Sequence, residues 1–403
     1  MFSRTLSRCK SSLSLKQYRV DRRLASRQLS DKSTDAPNDD STDESPAVSE
    51  LLQDAANFNE TADKSWSTSA YPDGAPSSVN PEPEREKKDP TESSILLFPG
   101  QGTLKVGMIK QYMRFPRVRD LYESANEVLG YDLSKLCLSG PQERLDRTEF
   151  NQPATVVASL AALERLWEER PRAIEDCKAA AGYSVGEITA LIFGGAIDID
   201  DGIRLAGVRG AAMQNAAEAT PQGMLTALCS PAAKVPKACQ EAVEWAMNLG
   251  VENPVCRIAI YLYTQGKVIA GHEEALRYLE TNSEKLGLRH LRRLPVSGAF
   301  HTALMEPASK PFMKALGAIH LQEPRINVYS NVTAKPYYTI RHIKKTLPKQ
   351  IISPVKWEQV MHTLYERPQG QLFPRTFDLG SGGYLKAILK KINAKAWDSC
   401  IVV

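Results

Sequence analysis

From residue 94 onward, short apolar runs alternate with stretches whose apolar residues recur at helical spacing. Ile95 to Phe98 form an apolar run closed by Pro99 and Gly100, which predicts a buried strand entering a tight turn. "VRDLYESANEVLG" (118–130) and "ATVVASLAALERLWEER" (154–170) read as helices, the second favoured by its Ala, Leu and Glu content. "CKAAAGYS" (177–184) predicts a second buried strand, followed by helices over "VGEITALIFGGA" and "IDDGIRLAGVRGAAMQNAAEA". Strand then helix, repeated, argues for an α/β fold with a largely parallel sheet.

Between 223 and 294 the order changes. "GMLTAL" reads as strand, "AAKVPKACQEAVEWAMNLG" as helix, "CRIAIYLYT" and "GKVIAG" as two strands, "EEALRYLETNSEKLG" as helix and "LRHLRRLPVS" as strand. That βαββαβ order is ferredoxin-like. It predicts a small domain at 223–294 inserted into a larger α/β domain whose two parts are 94–222 and 295–403. The α/β character resumes through "RINVYS", "WEQVMHTLYERP", "LFPRTFDLGSG" and "GYLKAILKKINAK".

The N-terminal residues have another character. Residues 1–30 carry eight Lys/Arg and one acid, with serines interleaved and no apolar core, which predicts a mitochondrial transit peptide and matrix localisation. Residues 31–93 hold sixteen acids against five bases and few aromatics, which predicts a disordered acidic linker. The remaining 94–403 holds 38 Lys/Arg and 30 Asp/Glu, an excess of +8 that suits an acidic partner. Arg289, Arg292, Arg293, Lys386, Lys390 and Lys391 are its candidate docking residues.

The seven cysteines form no C-x-x-C pair, and no apolar run reaches eighteen residues. Neither a metal site nor a membrane span is expected. "DLGSGG" (378–383) reads as a strand-to-helix turn better than as a phosphate loop.

Chemistry concentrates at "GYSVGE" (182–187). A G-x-S-x-G elbow turns a strand sharply into a helix, exposes the serine Oγ and aims the next N–H at a developing oxyanion. Ser184 then needs a base. His272, His290, His320, His342 and His362 sit where capping, surface or helix-face roles suffice. His301 lies in "PVSGAFHTALMEPA", a loop of small residues from which a side chain can enter a cleft.

Four separated motifs, "FPGQG" (98–102), "GYSVGE", "RGAAMQ" (209–214) and "PVSGAFH" (295–301), make the chain resemble the malonyl-CoA:acyl-carrier-protein transacylases, particularly their stand-alone mitochondrial form. "QIISPVKW" (350–357) and "TFDLGSG" (376–382) add to the resemblance. It implies a large α/β-hydrolase-like domain, a small ferredoxin-like insert, and transfer of malonyl from malonyl-CoA to an acyl carrier protein through a malonyl-serine. It implies Ser184 as nucleophile, His301 as general base and acid, and the backbone N–H groups of Gln101 and Val185 as oxyanion hole. Arg209 matches the arginine that pairs with the malonyl carboxylate, Gln350 the residue whose backbone carbonyl orients the histidine, and Gln152 a pocket glutamine. Tyr183 stands where bacterial members carry histidine. "GQGTLK" lacks the family's second glutamine, and "YLYTQGKVIAG" lacks its asparagine.

No cofactor, metal or nucleic acid is expected, because coenzyme A arrives as substrate, and a monomer is expected. A serine esterase or thioesterase, or an inactive carrier-binding scaffold, are the competing readings. Coenzyme A thioesters give the discriminating assay: transfer in one case, hydrolysis in the other, no adduct in the third.

Overall fold

The computed structural model describes residues 89–403. The transit peptide expected at 1–30, and all but the last residues of the linker expected at 31–93, lie outside the described residues. Asp89 to Ser93, at the end of that linker span, form a capped turn in which the Asp89 carboxylate accepts the Thr91 N–H.

The chain enters through β1 (Ser94–Phe98), passes helices α1 (Pro116–Leu129) and α2 (Thr148–Glu169), and returns through β2 (Cys177–Gly182). Helices α3 (Gly186–Phe193) and α4 (Ile199–Ala217) follow. Residues 222–293 then build β3 (Gln222–Cys229), α5 (Val235–Asn248), β4 (Cys256–Tyr263), β5 (Gly266–His272), α6 (Glu273–Thr281) and β6 (Leu288–Arg293). β7 (Asn327–Tyr329), α7 (Trp357–Tyr365), β8 (Arg375–Asp378), α8 (Tyr384–Ile392) and β9 (Cys400–Val402) complete the order.

The main sheet runs β7–β2–β1–β8–β9 with every pairing parallel. Its central strands β1 and β2 read as largely apolar runs because both faces are covered. β1 is buried at all five positions. The chain adds strands on one side of β1, then crosses to β8 on the other. That reversal opens a crevice at the carboxyl ends of the strands, the usual place for a ligand in such sheets.

The second sheet is antiparallel, in the order β4–β5–β3–β6, as the βαββαβ reading requires. Strand periodicity divides its two faces. Leu225, Ala227 and Ile269 pack with Ala238, Ala242, Leu276 and Leu279 of its two helices. Met224, Val268 and Ala270, one residue out of phase, join the main core. The β4–β5 hairpin is pinned to α7: Thr264 Oγ1 donates to Glu358 Oε1 at 2.6 Å, and Lys267 Nζ stands 3.5 Å from Glu358 Oε2. Val355 exchanges backbone hydrogen bonds with Ala259 and Tyr261, both 2.9 Å.

The helix expected through Gly287 stops at Thr281. Asn282 turns its side chain back onto the Tyr278 carbonyl at 3.0 Å, and Gly287 at φ 70° closes the turn into β6. Among the described residues, six cysteines are buried and unpaired, and no helix is long and apolar enough to cross a membrane.

Candidate active site

The loops after β1, β2, β7 and β8 meet at the carboxyl edge of the main sheet. Gly182 ends β2 where α3 begins; a Cβ on it would lie 1.9 Å from the Gly186 carbonyl group. A Cβ on Gly186 would lie 2.4 Å from the Pro99 oxygen. Only glycine fits either position, and the resulting turn drives Ser184 to φ 53°. A non-glycine residue in that region is strained, and such strain concentrates at functional sites.

His301 is also left-handed, at φ 63°, and is 2% exposed. Its Nε2 lies 2.9 Å from Ser184 Oγ, and its Nδ1 lies 2.7 Å from the Gln350 carbonyl oxygen. A carbonyl only accepts, so Nδ1 carries the proton and the Nε2 lone pair faces the serine hydroxyl. Burial, and then the charge of Arg209, pull the imidazole down to about 3, against the raising effect of the Gln350 carbonyl. The ring is therefore neutral and able to take the hydroxyl proton.

Arg209 projects from α4 and is 1% exposed. Nη1 donates to Gln152 Oε1 and Nη2 to Gln350 Oε1, both at 2.7 Å, while Nη2 also points to Ser184 Oγ at 3.4 Å. No carboxylate pairs with it among the described residues. Burial lowers its pKa to about 10, opposed by the charge of Glu187, so it stays a cation. An isolated buried cation is costly unless an anion meets it.

Gln152 Nε2 in turn reaches Gln101 Oε1 at 3.4 Å, and Gln101 Nε2 donates to Thr148 Oγ1 at 3.0 Å. The backbone N–H groups of Gln101 and Val185 find no acceptor among the described residues. Val185 caps α3, so the positive end of that helix adds to its donor. Ser184, His301, Gln101, Gln152, Arg209, Gln350 and Val185 thus form one constellation.

Sequence reading missed Asn331, Glu187 and Tyr337. Asn331 Oδ1 accepts the Ser184 N–H at 2.8 Å while its Nδ2 donates to the Gly182 carbonyl at 2.7 Å, clamping the elbow from the β7 loop. Glu187 is fully buried; Gln350 Nε2, the Tyr337 hydroxyl and the Asn331 N–H at 3.1 Å all donate to it. The glutamate was visible inside "GYSVGE" but carried no positional clue. His272, read as a cap or surface residue, does stand at the N-cap of α6, but it is buried, with Nδ1 accepting the Val255 N–H at 2.9 Å.

A cavity of about 500 Å³ opens above Ser184 and His301. Its floor carries Gln101, Gln152 and Tyr183; Met224, Ile260 and Val268 of the small sheet form an apolar wall, with Leu294, Val296 and Phe300. Lys105 and Tyr384 stand at its lining, and Ser381 and Gly382 contribute from the turn after β8. That turn is organised internally: Asp378 accepts from the Ser381 hydroxyl and, at 3.0 Å, from the Lys386 N–H. Tyr183 packs edge-on against Trp357, centroids 5.3 Å apart.

Residues 95–369 match the acyl transferase domain family. A probable mitochondrial malonyl-CoA-acyl carrier protein transacylase of Drosophila melanogaster is 54% identical over 311 residues, 77% of this chain and 82% of the relative. The mitochondrial malonyl-CoA-acyl carrier protein transacylase of Homo sapiens is 50% identical over 352 residues, 87% of this chain and 86% of the relative. Among solved structures, the malonyl CoA-acyl carrier protein transacylase of Coxiella burnetii superposes with TM-score 0.69 at 28% identity, covering 78% of this chain and 94% of that one. A malonyl-transacylase solved in complex with its type II polyketide acyl-carrier protein gives TM-score 0.69 at 30% identity, over 77% of this chain and 96% of that one. The chain belongs to the acyl transferase family and, within it, to the malonyl-CoA-acyl carrier protein transacylases.

Proposed function

We propose that this chain moves a malonyl group from malonyl-CoA to the phosphopantetheine thiol of an acyl carrier protein in the mitochondrial matrix, in two half-reactions through malonyl-Ser184. Residues 1–30 are the targeting segment in this reading and 31–93 a linker. The observation that carries it is the Arg209 guanidinium: fully buried, in direct contact with no carboxylate among the described residues, and 3.4 Å from the serine oxygen that meets His301. A general serine esterase has no need of a desolvated cation there. An acyl group ending in a carboxylate does.

In the first half-reaction Ser184 Oγ attacks the thioester carbonyl while His301 Nε2 takes the hydroxyl proton. The oxyanion falls to the N–H groups of Gln101 and Val185, donors of a kind worth about 2.7–4 kcal/mol each. The C–S bond breaks, His301 returns the proton to the departing thiolate, and coenzyme A leaves. In the second, His301 takes the proton of the carrier thiol, the thiolate attacks the ester, the C–O bond to Ser184 breaks, and the proton returns to Ser184 Oγ. The Gln350 carbonyl holds the imidazole in place of a triad carboxylate. Arg209 grips the malonyl carboxylate through its N–H donors not held by Gln152 and Gln350.

Arg209→Ala tests this. A hydrogen bond to a charged group contributes about 1.5–3 kcal/mol, so kcat/KM for malonyl transfer should fall about 10- to 100-fold. Acetyl transfer to the same carrier should hold or rise. An equal fall with both substrates would mean that Arg209 supports the fold and does not select the acyl group.

A further inference from the structure

Glu187 is the anion linked most directly to Arg209, and one amide separates them. Gln350 Oε1 accepts from Arg209 Nη2 at 2.7 Å, while Gln350 Nε2 donates to Glu187 Oε2. A guanidinium only donates and a carboxylate only accepts, so the two charges fix which way the amide faces. The remaining contacts of Glu187 come from the Tyr337 hydroxyl and the Asn331 N–H, neither of which carries a charge. Tyr337, from the segment after β7, and Arg209, from α4, are the titratable groups that face it; His301 feels the same guanidinium.

Without substrate, and at pH above about 7 where Glu187 is ionised, one buried cation balances one buried anion. An entering acyl carboxylate makes two anions on one cation in a region closed to water, where like charges repel strongly. A proton on Glu187 restores the balance. We propose that Glu187 is the resident counter-ion of Arg209 and takes up a proton from solvent when an acyl carboxylate pairs with that guanidinium. Carboxylate recognition and the state of Glu187 are then one event. The inference rests on the reading of Arg209 given above. Burial places Glu187 at about 7, against the lowering effects of Tyr337, Gln350, Asn331 and Arg209, so neither form is out of reach at neutral pH.

Glu187→Gln is the informative variant. With its amide oxygen where Oε2 lies, it still accepts from Gln350 and Asn331, and the Tyr337 hydroxyl can turn to accept from the new NH₂. Only the charge is lost. The full chain is loaded with malonyl-CoA by calorimetry in two buffers of different protonation enthalpy, and intact mass counts the adduct. At about pH 8, one unit above the group's own value, wild type should take up about one proton per malonyl-enzyme, and at about pH 6 almost none. Glu187→Gln should take up none at either pH. Tyr337→Phe removes a donor that favours the ionised carboxylate, so the onset of uptake should move to higher pH even if Glu187→Gln fails to fold. Malonyl-enzyme formed without proton uptake, or with equal uptake in Glu187→Gln, or an unmoved onset in Tyr337→Phe, would overturn the counter-ion role alone. Absence of any malonyl adduct on Ser184 would overturn the parent reading as well.

Discussion

His301 shows how little of a residue's chemistry follows from its type. An ordinary histidine titrates near 6.5, but burial and then the Arg209 charge hold this one at about 3. The acylation half-reaction should therefore show no histidine limb between about pH 5.5 and 7.5, the window that brackets an unperturbed imidazole. Single-turnover acylation by malonyl-CoA across that window checks this, and a loss of rate towards acid pH centred near 6.5 would contradict it. Stability follows the opposite signs of two groups. The unfolded chain protonates His301 below 6.5 while the folded one refuses until about 3, so this contribution is lost as pH falls through that range. Folded Glu187 keeps its proton up to about 7 while the unfolded one loses it near 4.5, so its contribution is lost as pH rises between them. Ser184 and His301 were legible in sequence because an elbow and a small-residue loop have local signatures. Asn331 was not: it acts on Ser184 from 147 residues away, and nothing local in "SNVTA" distinguishes a clamp from a turn.

Among elements, the β2–α3 elbow is the least tolerant of change. Ala at 182 would need the Gly186 carbonyl to retreat from 1.9 Å, and backbone cannot give way as a flexible side chain can. Gly182→Ala should therefore destabilise at or beyond the upper end of the range for overpacking, about 3 kcal/mol, read as a lowered urea midpoint and lost activity together. A variant with wild-type stability would show that the elbow relaxes more freely than its contacts imply. Strong patterns survived translation into structure: β1 and β2 appear where apolar runs end in glycine. Weak ones did not. β9, only Cys400–Val402, borrows its strand character from pairing with β8. The overlong α6 prediction missed the Asn282 turn, whose chemistry propensity sums do not weigh.

At the scale of the molecule, the parallel order and the antiparallel insert were both readable, since each follows from a change of period along the chain. How they combine was not. The small sheet turns one face to its own helices and lends Met224, Ile260 and Val268 to the cavity wall. Charge also sorts itself only in three dimensions. Arg293, read from sequence as a docking residue, is held by Glu273 at 2.9 and 3.1 Å and by Glu280 at 2.7 and 2.8 Å. Arg289 and Arg292 are exposed and form no ion pair among the described residues, while Lys386 and Lys390 lie over the Trp397 ring. Lys391 is likewise exposed and forms no ion pair among the described residues, so Arg289, Arg292 and Lys391 stay candidate carrier contacts. What joins cavity, cation and serine is the claim that a malonyl group rests on Ser184 between two thiols. Mixing the chain with malonyl-CoA and mapping the modified peptide tests it most directly. One malonyl ester is expected, on Ser184, absent from Ser184→Ala and discharged onto an added phosphopantetheinyl carrier protein faster than onto water. An adduct at another residue, or one lost to water as readily as to the carrier, would contradict it.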